Sequence, residues 1–120
     1  MANLGRFIQV KLIENGVQMK IHIITTTFGD LSEAEKIRDL LLGDYLSSCI
    51  QIQKIQSSYI WQDKIYNETE YKMSIKTTKK NLKKLKNRIL STHSYEIPEI
   101  LIYKAKSTKK YLKWHKSSIK

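Results

Sequence analysis

Between His93 and Glu99 the chain places one imidazole, one phenol and two carboxylates, His93-Ser94-Tyr95-Glu96-Ile97-Pro98-Glu99, in a stretch that holds its only proline. Imidazole nitrogen and carboxylate oxygen are ligand types for a borderline divalent metal: His93 with Glu99, and a second oxygen from Glu96. Two or three ligands from one short loop hold a metal weakly unless another segment or subunit completes the shell. The same histidine also reads as a helix-end residue satisfying terminal carbonyls. His93, Glu96 and Glu99 could do acid–base work, but no nucleophile or cofactor motif accompanies them, so the expectation is a non-enzyme. Ile97 precedes proline, which disfavours helical backbone there. A helix must therefore stop before this loop, and an extended segment can begin after it.

Other chemistries find no support. Four scattered glycines form neither GxGxxG nor a Walker pattern. His22, His93 and His115 lie far apart with no cysteine pair, so there is no zinc signature. Cys49 is the sole cysteine and cannot form an intramolecular disulfide; it reads as a small buried thiol in a reducing cytoplasm. No run of roughly 18 apolar residues occurs, so no membrane span is expected.

The net charge of +11 is unevenly laid down. Residues 1 to 75 carry eight basic and nine acidic side chains, whereas residues 76 to 120 carry fourteen basic ones and only Glu96 and Glu99. Such a field favours anionic partners. The second functional reading is therefore a basic binding module for acidic protein surfaces or nucleic acid, using Lys79, Lys80, Lys83 and Lys84. The aromatic and glycine strand signature of RNA-binding sheets is absent, which argues against nucleic acid.

The elements that must position the loop follow from periodicity. Residues 1 to 18 read as a leader or extension, with Met19 heading a single domain over 19–120. Ile21 to Thr26 is β-branched and nearly continuously apolar, the pattern of a central strand. Asp30-x-x-Glu33 and Ser32-x-x-Glu35 are capping pairs for a helix with Ala34, Ile37, Leu40 and Leu41 on one face, terminated by Gly43. A long strand over Leu46–Tyr59 puts Ile50 and Ile52 in one phase and Ile55 in the other, which a bulge at Gln53-Lys54 would reconcile. Gln62-Asp63 turns the chain into a second strand, Lys64 to Thr77. The pair forms a tall hairpin whose arms ask for another subunit. Thr77 or Thr78 caps an amphipathic helix with Leu82, Leu85, Ile89 and Leu90 as its stripe. A strand over Ile100–Tyr103 and a short helix over Ser107–Lys116 follow. The order βαββαβ, with right-handed crossovers, gives an α+β, ferredoxin-like fold with a short C-terminal helix.

Several short motifs in series resemble one family. Thr25-Thr-Thr, Leu46-Ser-Ser-Cys-Ile-Gln-Ile, Ser58-Tyr-Ile-Trp-Gln-Asp-Lys-Ile, Glu70-Tyr-Lys-Met-Ser-Ile-Lys-Thr, His93-Ser-Tyr-Glu-Ile-Pro-Glu-Ile and Tyr111-Leu-Lys-Trp run in order as in the CutA divalent-cation tolerance family. The resemblance implies a ferredoxin-like homotrimer with PII-like assembly and a role in tolerance to copper and other divalent metals. It implies metal ligation at His93 and Glu99, with copper or zinc bound weakly. From the placement of the hairpin and the loop, clefts between subunits are expected to gather Trp61, Lys64, Lys76, Tyr95 and Glu96 around a metal, a small molecule or a protein ligand. Thr25 and Thr92 stand where some relatives have a cysteine and a second histidine, which weakens the case for copper. Ser94 replaces a proline and is expected to loosen the loop, and Asp63 replaces the hairpin glycine.

Overall fold

The computed structural model describes residues 20–120, so the expected leader over 1–18 and the start at Met19 lie outside the described residues. The elements are β1 (Lys20–Phe28), α1 (Leu31–Gly43), β2 (Cys49–Trp61), β3 (Lys64–Thr77), α2 (Lys79–Thr92), β4 (Leu101–Lys106) and α3 (Lys109–Ser117). The strands form one antiparallel sheet in the order β2-β3-β1-β4, as right-handed βαβ crossovers dictate. Side chains alternate across the sheet. Ile24 and Phe28 of β1, Met73 and Ile75 of β3, and half-buried Ile50 and Ile52 of β2 share the face that packs on Ala34, Ile37 and Leu41 of α1 and Leu85 and Ile89 of α2.

The helix ends rest on identifiable bonds. Thr78 caps α2 by accepting from the Asn81 amide at 3.3 Å. At α1 the expected terminator, Gly43, is the last helical residue rather than the stop. The Tyr45 amide bonds the Leu42 carbonyl and the Leu46 amide bonds the Leu41 carbonyl, a Schellman closure with Tyr45 at φ 57° in the left-handed position. Leu41 and Leu46, both buried, make the apolar contact that accompanies such a closure. Asp30 takes the N-cap position without a side-chain bond to a helix amide, so the expected capping pair through Glu33 does not form.

The hairpin shows one correction and one confirmation. Its ladder runs without slippage from Cys49↔Lys76 to Trp61↔Lys64, so there is no bulge at Gln53-Lys54. Ile55 points to the face away from the helices, and that is why it is out of phase with Ile50 and Ile52. The turn lies at Gln62-Asp63, with φ of 50° and 64°, the two left-handed residues that a two-residue hairpin loop demands. β1 pairs with β3 only as far as Phe28↔Tyr71. Beyond it, Ile55–Trp61 and Lys64–Glu70 have only each other as strand partners among the described residues and project on the order of 20 Å. The extents of 55 × 34 × 22 Å record this projection. Cross-strand partners Ile60 and Ile65 near the tip are 73% and 76% exposed.

Candidate functional site

The loop after α2 is tied down from three sides. His93 stacks on Phe28 at the end of β1, with centroids 4.4 Å apart and planes 10° apart. Its Nε2 lies 2.8 Å from the Thr27 carbonyl, and its Nδ1 lies 3.0 Å from the Tyr95 amide nitrogen. A carbonyl can only accept and an amide can only donate, so the ring is the Nε2–H tautomer and both nitrogens are engaged. Ser94 donates its amide and its hydroxyl to the Glu33 carboxylate, at 2.9 and 2.8 Å. The serine therefore fastens the loop to α1 rather than loosening it, and Glu33 serves this loop instead of its own helix start.

Tyr95 then reaches across the end of β1 to donate to Glu70 on β3, at 2.8 Å. A Cβ at Gly29 would sit 2.9 Å from the Tyr95 hydroxyl oxygen, so glycine there lets the phenol pass and any larger residue would make it shift. Burial, and then the hydrogen bond to Glu70, raise the Tyr95 hydroxyl above the ordinary phenol range. On the hairpin, Tyr59 donates to Glu68, a bond that pushes its pKa up to about 12.

Between this loop and the projecting hairpin lies a cavity of ≈ 430 Å³ on the sheet face away from the helices. Its walls are Trp61, Tyr59, Ser57 and Ser58 from β2, Tyr95, Glu96, Ile97 and Glu99 from the loop, and Thr27 and Glu70 from the strands. Of the residues expected at the site, Trp61, Tyr95, Glu96 and Glu99 meet here within one chain. His93 lies behind the wall as the prop of Tyr95. Lys64 and Lys76 are twelve residues apart on one strand, roughly 40 Å, and neither lines the cavity. Lys76 sits at the far end of the sheet, its Nζ 3.3 Å from the Tyr111 hydroxyl and 3.7 Å from Cys49 Sγ. Glu70 was missed by sequence reasoning. It shares the phase of Lys72 and Ser74, which reads as solvent-facing until the loop is known to cover it.

A metal finds no ready shell here. Among the described residues no group of three His, Cys, Asp or Glu side chains converges closely enough to hold an ion. His93 could ligate only by surrendering the Thr27 carbonyl or the Tyr95 amide. Thr25 is buried on β1, while Thr92 is exposed and donates to the Arg88 carbonyl, so neither adds a ligand beside Glu99.

A four-stranded antiparallel sheet under two helices, with a hairpin and a loop walling a cavity on its open side, defines a small α+β protein with a ligand-sized cleft. The chain belongs to the CutA1 divalent ion tolerance protein family, whose model matches residues 22–118. It is 33% identical over 93 residues to the divalent-cation tolerance protein CutA of Pyrococcus horikoshii, covering 77% of this chain and 91% of the relative. Its fold superposes on the CutA structure from Synechococcus elongatus with a TM-score of 0.81 at 34% identity, over 85% of this chain and 92% of that one. It superposes on the Archaeoglobus fulgidus protein, described as a periplasmic divalent cation tolerance protein CutA, with a TM-score of 0.79 at 30% identity, over 85% and 100% of the two chains. No helix among the described residues is long and apolar enough to cross a membrane.

Proposed function

We propose that the protein serves divalent-cation tolerance as a homotrimeric, non-enzymatic ligand-binding protein of PII-like assembly, with its ligand held in the cleft between hairpin and loop. The observation that carries the reading is the cavity itself, which gathers Trp61, Tyr95, Glu96 and Glu99 from segments far apart in sequence. A trimer is favoured by what the single chain leaves uncovered. Ile60 and Ile65 at the hairpin, Ile97 in the loop, and Leu101, Ile102 and Tyr103 on the edge strand β4 are exposed, and unpaired edges and apolar arms of this kind are buried by association. Partner subunits would close the cleft and could add the ligands that one chain lacks. In this reading Glu99 and Glu96 face the cation, and His93 positions the loop. A non-enzymatic role is favoured because His93, the candidate base, has both nitrogens engaged and lies outside the cavity. The half-buried free thiol of Cys49 favours a reducing cytoplasm.

Light scattering at micromolar concentration tests the assembly: a trimer is expected, and a monomer would contradict the reading. Calorimetric titration with Cu(II) and Zn(II) tests the ligand. Saturable heats that diminish in Glu99→Gln are expected, and equal heats in that variant would remove Glu99 from the cation's shell.

A further inference from the structure

The charge around the cavity runs against the charge of the chain. Among the described residues three carboxylates line it, from Glu70, Glu96 and Glu99, and no lysine, arginine or histidine does, although the chain carries 22 lysines and arginines. Glu70 is only 7% exposed, and its sole hydrogen-bond partner among the described residues is the Tyr95 hydroxyl. A carboxylate that deep is ordinarily matched by a cation, because burying an unmatched charge is costly. Here none of the described basic groups lies within ion-pairing distance of it.

Beside Thr27, Ser57, Ser58 and Ile97, the other walls are aromatic. Trp61, Tyr59 and Tyr95 line the same space, and the faces of such rings attract cations, most strongly when water is excluded. The volume suits a small organic molecule rather than a bare ion. A metal would in addition need a converging third ligand, which the described residues do not supply.

Resting on the cleft reading above, we propose that the cavity takes a small organic cation, an ammonium or guanidinium on a short apolar stem, with Glu70 as its buried charge partner and Trp61 and Tyr59 against its stem. The Tyr95 hydroxyl holds the Glu70 carboxylate in place. Glu96 and Glu99 at the loop draw the cation in against the long-range repulsion of a +11 chain.

The test is calorimetric titration of the full chain, at low salt, with n-butylammonium and 1,4-diaminobutane. n-Butanol serves as the uncharged control, and Zn(II) is run in parallel. Glu70→Gln keeps an acceptor for Tyr95 while removing the charge. Glu35→Gln, on the outer side of α1 beside Arg38, removes a carboxylate elsewhere. Saturable amine binding, at least tenfold weaker in Glu70→Gln, unchanged in Glu35→Gln and absent for n-butanol, supports the proposal. Amine binding that Glu70→Gln leaves intact overturns it. Absent amine heats with Zn(II) heats retained also overturn it while leaving the functional reading standing; a partner subunit's lysine filling the cavity would give this result. Absent heats for both probes overturn both.

Discussion

The two ends of the sheet carry opposite chemistry on the same architectural device. At each end a histidine is locked to a strand carbonyl: His93 to Thr27 at the cleft end, His115 to Thr77 at the other. At the cleft end the loop that follows its histidine meets Glu33 and Glu70 and carries Glu96 and Glu99. The far end pairs Lys20 with Lys106 and His22 with Lys104 directly across the β1–β4 ladder, and α2 begins on Lys79 and Lys80 with no acidic residue in its first turn. Like charges opposite one another, and cations at a helix N-terminus, both destabilise. His22 accordingly sits below its ordinary pKa, through burial first and then through Lys104 and Lys79. The net charge of the chain describes the far end and misrepresents the cleft.

Four substitutions sharpen that contrast. Phe28→Ala removes the buried ring under His93 and should cost about 3–5 kcal/mol in urea unfolding. Loss of less than about 1 kcal/mol would mean that the stack does not anchor the cleft end. His115→Ala leaves the Thr77 carbonyl and the Ser48 hydroxyl without their partner and should cost roughly 2–4 kcal/mol. The wild type should also lose stability as pH falls below about 6.5, the unfolded histidine value. His115 is held below that value, chiefly by burial and then by Lys116, Lys76 and His22, so the unfolded chain takes up a proton before the folded one does. The variant should show a shallower slope over that range; an unchanged slope would acquit His115.

Gly29→Ala should push the Tyr95 hydroxyl off Glu70, costing about 1 kcal/mol and lowering the pH at which the phenol ionises, readable by ultraviolet difference spectra at alkaline pH. An unmoved titration would show that the phenol tolerates the methyl group. Asp63→Gly should stabilise the chain by about 0.5–1 kcal/mol in thermal unfolding, since glycine holds a positive φ without the Cβ clash. No gain would place the hairpin turn outside the cooperative unit.

What the sequence made legible follows its periodicities. Alternation and helical spacing located every element of the described chain, the Gln62-Asp63 turn and a cap at Thr77 or Thr78, of which Thr78 forms it, because each is decided by a few neighbouring residues. Trp61, Tyr95, Glu96 and Glu99 were legible as a group through the hairpin, the loop and the family resemblance. The misses are all long-range. Glu33 looked like a capping residue but answers Ser94 across the fold, and Glu70 looked exposed until Tyr95 covered it. Ile55 suggested a bulge because its phase is set by which face the projecting arm presents. Lys76 was expected to meet Trp61 across subunits, and within one chain the length of β3 keeps the two far apart.

The two tryptophans mark the two ends, Trp61 in the cleft and Trp114 beside Tyr111 on α3. Fluorine NMR of the 5-fluorotryptophan-labelled protein, assigned with Trp61→Phe and titrated with n-butylammonium, reads both in one experiment. The Trp61 resonance should shift saturably while that of Trp114 stays fixed. A shift confined to Trp114, or none at either, would contradict a cation site at the acidic end.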